Sequence, residues 1–398
     1  MNVLPTILRA SVPYVADPLR RAPRSDPDFA PATWLAGVAP GTLLRSSEIS
    51  PVGLHSRLNP ASAHRISYVT TDTRGRVLTA TGAVMRSRVP WAGNGPRPTV
   101  AFAPSTQGVA ARCDPSFSCT VGFAVRTGPL DAIASYEQPV ISLLIAAGAD
   151  VVLSDYPRDP EDHVMLYGDH FSAARALADA VRAARELGVD SRVLGLWGFS
   201  QGGGAAAGWM EAPEYAPELQ VAAAVIGAPP VHLPEVLGHL EGSFVAPLAL
   251  YAVAGLAAWD EEIADELYAH LSPAGIAAAE EARTTCAVGT VLQHPWATTR
   301  EWTTAGIAMT ELLADLPATR RRLAELELGT RPPLNAPTRL WAGLDDSVVP
   351  YDGVARLARA WGVELDTRRP PRVGVSHSLP YFLHAPWDVR WLMEHLGG

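Results

Sequence analysis

Apolar and polar positions first alternate cleanly at Ile66 to Thr71 and again at Val77 to Met85, on either side of Asp72-Thr73-Arg74-Gly75, which predicts a β-hairpin. Residues 1–62 are rich in proline and polar side chains with little periodicity. They predict an irregular N-terminal arm packing on the core. Beyond the hairpin, short apolar runs alternate with segments of helical period. Strands are expected at Pro98–Ala103, Asp150–Ser154, Val193–Trp197, Leu219–Ile226 and Thr338–Ala342. Helices are expected at Pro139–Ala147, Phe171–Leu187, Tyr351–Trp361 and Tyr381–Leu396. Between residues 230 and 333 no strand pattern appears. Helical patterns follow one another at Pro234–His239, Leu248–Ala257, Glu261–His270 and Thr304–Leu326, the last with a break at Pro317. Strands alternating with helices specify an α/β fold with a mostly parallel central sheet flanked by helices on both faces. The division expected is the arm 1–62, a first core part 63–229, a helical cap or lid insertion 230–333, and a second core part 334–398.

Composition narrows the chemistry. Hydrophobic residues are 48% of the chain and charged residues 18%, enough apolar material for a sizeable core. There is no lysine anywhere. That excludes Schiff-base catalysis on a lysine and a phosphate loop with its lysine. The net charge is −9 and the one basic run is Arg320-Arg321-Arg322, which makes nucleic acid and anionic membranes poor partners. The most apolar stretch, Leu248 to Ala258, is too short to span a membrane. Met1 to Val12 has no basic start before its apolar residues and does not read as a signal peptide, which leaves an intracellular chain and a trimmed secreted one both open. The three cysteines, Cys113, Cys119 and Cys286, allow one disulfide in three pairings, and none lies in a zinc-binding spacing. Oligomeric state is not readable from the pattern.

The chemistry-bearing feature is Gly198-Phe199-Ser200-Gln201-Gly202-Gly203, which follows the apolar run ending at Trp197 and leads into small residues. Strand, sharp turn on a serine, then a small-residue helix form a nucleophile elbow. Gly198 and Gly202 keep side chains out of the turn. The Gln201 N–H, at a helix N-terminus, is placed to meet a developing oxyanion. A serine hydroxyl needs a histidine to take its proton and a carboxylate to orient that histidine. In this architecture both come from loops after later strands, in the order Ser, Asp, His. The strand at Thr338–Ala342 runs into Gly343-Leu344-Asp345-Asp346-Ser347-Val348-Val349-Pro350, where Asp345 and Asp346 both qualify and the spacing favours Asp346. His377 sits just ahead of the terminal helix, as the base should. His384 falls inside that helix and His395 near its end, while His163 and His170 follow a strand end and could reach the site. The second oxyanion donor is expected in Ser105-Thr106-Gln107-Gly108, from the backbone of Thr106 or Gln107. This chemistry calls for no cofactor and no metal.

Taken together, these residues resemble the secretory lipase family, the fungal lipase A-type enzymes and their actinobacterial relatives. The likeness runs from about Leu43 to the C-terminus. It rests on Leu196 to Ala206 around the elbow, Tyr215-Ala216-Pro217-Glu218-Leu219, Gly227-Ala228-Pro229-Pro230, Ser105 to Gly108 with Cys113-Asp114-Pro115-Ser116 after it, and Ser154-Asp155-Tyr156. The acid turn at Asp346, and His377 followed by Trp391-Leu392, fit as well. The resemblance implies an α/β-hydrolase core with a helical lid, hydrolysis of lipid or other carboxylic esters, secretion, and a disulfide joining Cys113 to Cys286 with Cys119 left free. Closing so long a loop would stabilise by roughly 4–5 kcal/mol in the chain-entropy model. Two departures stand out. Ser105 replaces a residue that is more often glycine in the family, and the stretch after Tyr156 reads Pro157-Arg158-Asp159-Pro160-Glu161-Asp162-His163 where the family is glycine-rich. Charge and proline beside the site lead one to expect a smaller or more polar ester. The alternatives to hydrolysis are acyl transfer to an alcohol or amine on the same triad, and a non-catalytic binding module on a hydrolase fold.

Overall fold

The structure is a computed structural model and describes residues 20–21, 35–54, 59–127, 130–369 and 376–397. Its strands are β1 Arg20–Arg21, β2 Leu43–Ile49, β3 Ala61–Thr71, β4 Val77–Ser87, β5 Thr99–Ala103, β6 Phe123–Thr127, β7 Leu130–Ala134, β8 Asp150–Pro157, β9 Leu194–Phe199, β10 Val221–Gly227, β11 Thr338–Gly343 and β12 Leu365–Arg368. Nine of them form one sheet in the order β12-β11-β10-β9-β5-β8-β4-β3-β2. The pairs from β12 through β8 are parallel, and β8-β4-β3-β2 are antiparallel. A small second sheet, β1-β6-β7, pairs Arg20–Arg21 parallel to β6, which is antiparallel to β7.

The helices before β10 are α1 Pro115–Val121, α2 Gln138–Ala146, α3 His170–Ala184 and α4 Gln201–Glu211. Between β10 and β11 every named element is helical: α5 Leu233–Leu240, α6 Leu248–Trp259, α7 Glu261–His270, α8 Pro273–Ala282, α9 Ala287–Gln293, α10 Met309–Leu312 and α11 Pro317–Glu325, with short 3-10 turns. This segment is called the cap below. The chain closes with α12 Tyr351–Trp361 and α13 Ser378–His395. Side chains alternate across a strand, and β9 shows the two layers directly. Gly195 faces Leu392 and Leu396 at the end of α13, whereas Gly198 faces Ala206 of α4. One apolar cluster runs from the sheet through both layers and on into the cap.

The α/β-hydrolase architecture read from the sequence is the one found. Several details differ. The stretch expected to be irregular up to residue 62 contains β2, which pairs antiparallel with β3, and β3 itself begins at Ala61; most of the rest of that arm lies outside the described residues. Pro317 does not interrupt a helix from Thr304. It occupies the first turn of α11, where the missing N–H costs nothing. The cap also contains α8 and α9, and β12 extends the sheet beyond β11.

Candidate active site

Ligand crevices in parallel sheets lie beyond the carboxyl ends of the strands, and here β5, β9 and β11 deliver the candidate residues there. Ser200 follows β9 directly, with φ 57° and ψ −121°, a left-handed conformation that a side chain-bearing residue adopts at a cost. The turn is paid for by close approach on both sides. A Cβ on Gly198 would lie 2.1 Å from the carbonyl oxygen of Gly202, and one on Gly202 would lie 1.9 Å from that of Ala103. Only glycine lets β5, β9 and α4 meet this closely. The Ser200 N–H donates to Gly227 O at 2.9 Å, which anchors the turn to the end of β10.

Ser200 Oγ lies 2.8 Å from His377 Nε2. His377 Nδ1 lies 2.8 Å from both carboxylate oxygens of Asp346. Asp346 Oδ1 also accepts the N–H groups of Val348 and Val349, at 2.8 and 2.9 Å. Burial by itself would push the Asp346 carboxyl up; the charge and hydrogen bond of His377 and the two backbone N–H groups outweigh it and hold it below the usual carboxylate value. Of the two adjacent aspartates, Asp346 is buried and faces His377, whereas Asp345 is exposed. An imidazole held between a hydroxyl and an ionised carboxylate can take the hydroxyl proton and carry the resulting charge.

The loop after β5 approaches from the opposite side, with its carbonyls fixed in other directions. Pro104 O accepts Tyr156 O–H at 2.6 Å, Thr106 O accepts Tyr136 O–H, and Gln107 O accepts Ala287 N–H at 2.9 Å. The backbone N–H groups of Thr106, Gln107 and Gln201 have no hydrogen-bond partner among the described residues. They are the N–H groups named from the sequence as candidate oxyanion donors, with Thr106 and Gln107 both candidates for the second. Thr106 Oγ1 also lies 2.8 Å from the Tyr167 hydroxyl.

The other histidines stand apart from this chain of hydrogen bonds. His163 is exposed on its loop. His170 is buried, its Nε2 is 3.0 Å from Pro230 O, and burial pushes its pKa down to about 4. His384 is half-buried on α13, and His395 is exposed. His239, which no sequence pattern singles out, reaches from α5 to place Nε2 2.7 Å from the Asp346 carbonyl and so ties the cap to the acid turn. Sequence spacing could not have found it, because the two residues are brought together only by the fold.

From Ser200 and Gln201 an apolar cavity of about 110 Å³ extends into the cap, between residues such as Leu256, Leu267, Leu271, Met309, Leu312 and Leu316. The residues after Tyr156, on which the expectation of a smaller or more polar ester rests, do not line it. The charges after Tyr156 point elsewhere: Arg158 pairs with Asp114 and donates to Val109 O and His163 O, Asp159 accepts its own loop's N–H groups, and Asp162 pairs with Arg283. The wall around the cavity is cap leucine, not loop charge.

Cys113 and Cys286 form a disulfide, as the resemblance implies, and Cys119 is free and buried. The bridge fixes the start of α9 beside the loop after β5, where Gly108 and Cys286 pair as an isolated bridge. Among the described residues no group of three or more His, Cys, Asp or Glu side chains is arranged to hold a metal ion, and no helix is long and apolar enough to cross a membrane.

The family model described as Secretory lipase matches residues 129–398. Among curated proteins, the secreted triacylglycerol lipase LIP3 of Malassezia restricta is 30% identical over 63% of this chain, a match that spans 53% of that protein. A protein of Mycobacterium tuberculosis described as a probable inactive lipase is 25% identical over 94% of this chain and 83% of its own length. Among solved structures, Candida antarctica lipase A in its closed state superposes with a TM-score of 0.78 at 20% identity, covering 95% of this chain and 88% of that one. The rice cell wall degrading esterase LipA from Xanthomonas oryzae follows the same fold, with a TM-score of 0.67 at 18% identity over 89% of this chain and 99% of that one.

Proposed function

The chain belongs to the secretory lipase family, a family of carboxylic ester hydrolases, and on that premise we propose that it cleaves lipid esters through a Ser-His-Asp triad and an acyl-enzyme. Ser200 Oγ attacks the ester carbonyl while His377 Nε2 takes its proton. The Gln201 N–H, with that of Thr106 or Gln107, receives the oxyanion of the tetrahedral intermediate. His377 then protonates the leaving alkoxide, Asp346 steadies the imidazolium, and water deacylates Ser200 by the same route in reverse. The acyl chain lies in the apolar cap cavity that opens at Ser200. The observation that carries this reading is the unbroken chain of hydrogen bonds from Ser200 through His377 to Asp346. One extensive relative is described as inactive, so kinship alone does not supply activity and the geometry has to. Relatives named as secreted and the disulfide both support secretion of this chain too.

The test is hydrolysis of nitrophenyl esters from acetate to palmitate by the wild type and by Ser200→Ala. A Ser200-dependent rate that rises with acyl length is the expected result. A Ser200-dependent rate confined to acetate would overturn the assignment of the cavity to the acyl chain. A stable acyl adduct without turnover would replace hydrolysis with transfer to another acceptor. Neither turnover nor adduct would remove the enzymatic reading.

A further inference from the structure

A buried carboxylate that takes no part in the triad holds the two halves of the site together. Glu137, at the start of α2, is 3% exposed. Its Oε1 accepts the Ser105 N–H at 2.6 Å and the Ser105 hydroxyl. Its Oε2 accepts the Tyr381 hydroxyl at 2.6 Å. Among the described residues it has no ion-pair partner. Burial pushes its carboxyl up, against the hydrogen bonds from Ser105 and Tyr381. A buried carboxylate without a countercharge is costly, and this one is compensated only by three converging donors, all from residues next to the reacting groups.

Each oxygen faces one half of the site. Ser105 immediately precedes Thr106, so the bonds to Oε1 set the peptide from which the oxyanion loop continues. Tyr381 lies on the first turn after His377, and its ring stacks on Phe199 at 4.4 Å and 9°. Phe199 precedes Ser200 and lies 4.7 Å from the His377 ring. Ser105 is also the position where this chain departs from the glycine more usual in the family. Its φ is not in the left-handed range, so glycine's freedom is not needed there, and its hydroxyl supplies the extra bond to Glu137.

We propose that Glu137 is a positioning residue for the ester-cleaving reaction, holding the oxyanion loop and the base-bearing helix in register by accepting from Ser105 and Tyr381 at once. This rests on the hydrolase reading above. A glutamine in its place offers one carbonyl oxygen and a donating amide, and cannot accept all three bonds.

The experiment measures kcat and KM on a nitrophenyl ester, inhibition by an alkylboronic acid that forms a tetrahedral adduct on Ser200, and Tm, for Glu137→Gln, Ser105→Ala and Tyr381→Phe. Glu137→Gln is expected to lower kcat about 10- to 100-fold with KM within about two-fold, and to weaken the boronic acid by a similar factor. Ser105→Ala and Tyr381→Phe each remove one bond and should each lower kcat about 3- to 10-fold; Ser105→Ala added to Glu137→Gln should cost less than it does alone. Should Glu137→Gln fail to fold, the two single-bond variants carry the test. The proposal is overturned if the folded variants lose Tm yet keep wild-type kcat and boronic acid affinity, or if KM alone rises. The Ser200→Ala control separates the two readings: rates that do not depend on Ser200 sink the hydrolase reading, whereas Ser200-dependent rates indifferent to Glu137 sink only this one.

Discussion

Asp345 and Asp346 carry the same carboxylate one residue apart, and the fold gives them opposite fates. Asp346 is buried against His377 with two backbone N–H groups on one oxygen, and Asp345 is exposed. Asp346→Asn is therefore expected to lower kcat on the order of 10³- to 10⁴-fold, because an amide no longer fixes the imidazole tautomer or steadies its charge. Asp345→Asn should stay within about two-fold of wild type. Steady-state rates on one ester decide both. The depressed pKa of Asp346 has a stability consequence as well. Its contribution is present above the unfolded carboxylate value and is lost as the pH falls through the lower folded value. The Tm advantage of the wild type over Asp346→Asn should accordingly shrink below about pH 4. Residues of this kind were legible in the sequence because the chemistry fixes their type, their order and their place after strand ends. Glu137 and His239 were not, since their partners, Ser105, Tyr381 and the Asp346 carbonyl, come from distant parts of the chain.

At the scale of elements, what sequence pattern identified and what it missed divide by how much of each element's burial is local. The strands β5, β9 and β10 are apolar along nearly their whole length, because they are covered on both faces, and they stand out from their flanks. β12 has four residues, three of them charged or polar, and owes its place to pairing with β11. The β6–β7 hairpin and α9 are likewise short, and they are held by the Cys113–Cys286 disulfide and by Asp131, whose Oδ1 accepts the Cys286 N–H at 3.0 Å. That bridge closes 173 residues and in the chain-entropy model contributes up to about 5 kcal/mol. It also places Cys286 and Thr285 against Gly108 in the loop after β5. Cys113→Ala with Cys286→Ala should therefore lower Tm and also lower kcat at temperatures where the protein remains folded. Calorimetry beside single-temperature kinetics measures the two losses separately. A fall in Tm with unchanged kcat would confine the disulfide to stability. The cap makes a further prediction, which depends on the acyl assignment. Leu316 is buried and lines the cavity, so Leu316→Trp should fill it, at an overpacking cost of roughly 1–3 kcal/mol. The ratio of dodecanoate to butanoate hydrolysis should drop while butanoate turnover persists. An unchanged ratio would mean that the acyl chain leaves Ser200 by another route.

Over the whole molecule, a chain without lysine fixes its buried charges with arginine, and the fold uses this where loops must be held near the site. Asp114, beside the disulfide, lies between Arg158 from the loop after β8 and Arg65 from β3. Asp155 completes the cluster through Thr81 and Ser116, with the Ser116 N–H donating to it at 2.8 Å. Four separate stretches of the chain are thus joined near the loop after β5 by buried groups. Burial is the largest influence on Asp114 and pushes its pKa up to about 7, in spite of the two arginines. The folded state consequently holds a proton on Asp114 that the unfolded chain releases near its ordinary value of about 4. Between those values the native state binds more protons than the unfolded state, so the contribution of Asp114 to stability falls as the pH rises and levels off above about 7. His170 acts in the opposite sense. Its pKa is pushed down to about 4, so the unfolded chain takes up its proton first and stability from this group rises with pH over much the same range. The two trends oppose each other in the wild type, and a single Tm profile would hide both. The difference between wild type and Asp114→Asn isolates one of them. At pH 4 asparagine is as neutral as the protonated Asp114 of the folded wild type, and unlike it does not ionise, so the variant should gain on the wild type steadily from pH 4 to pH 7. Chemical denaturation of both proteins across that range measures the gap directly. A variant that instead loses ground to the wild type as the pH rises would mean that the arginines, rather than burial, govern the cluster.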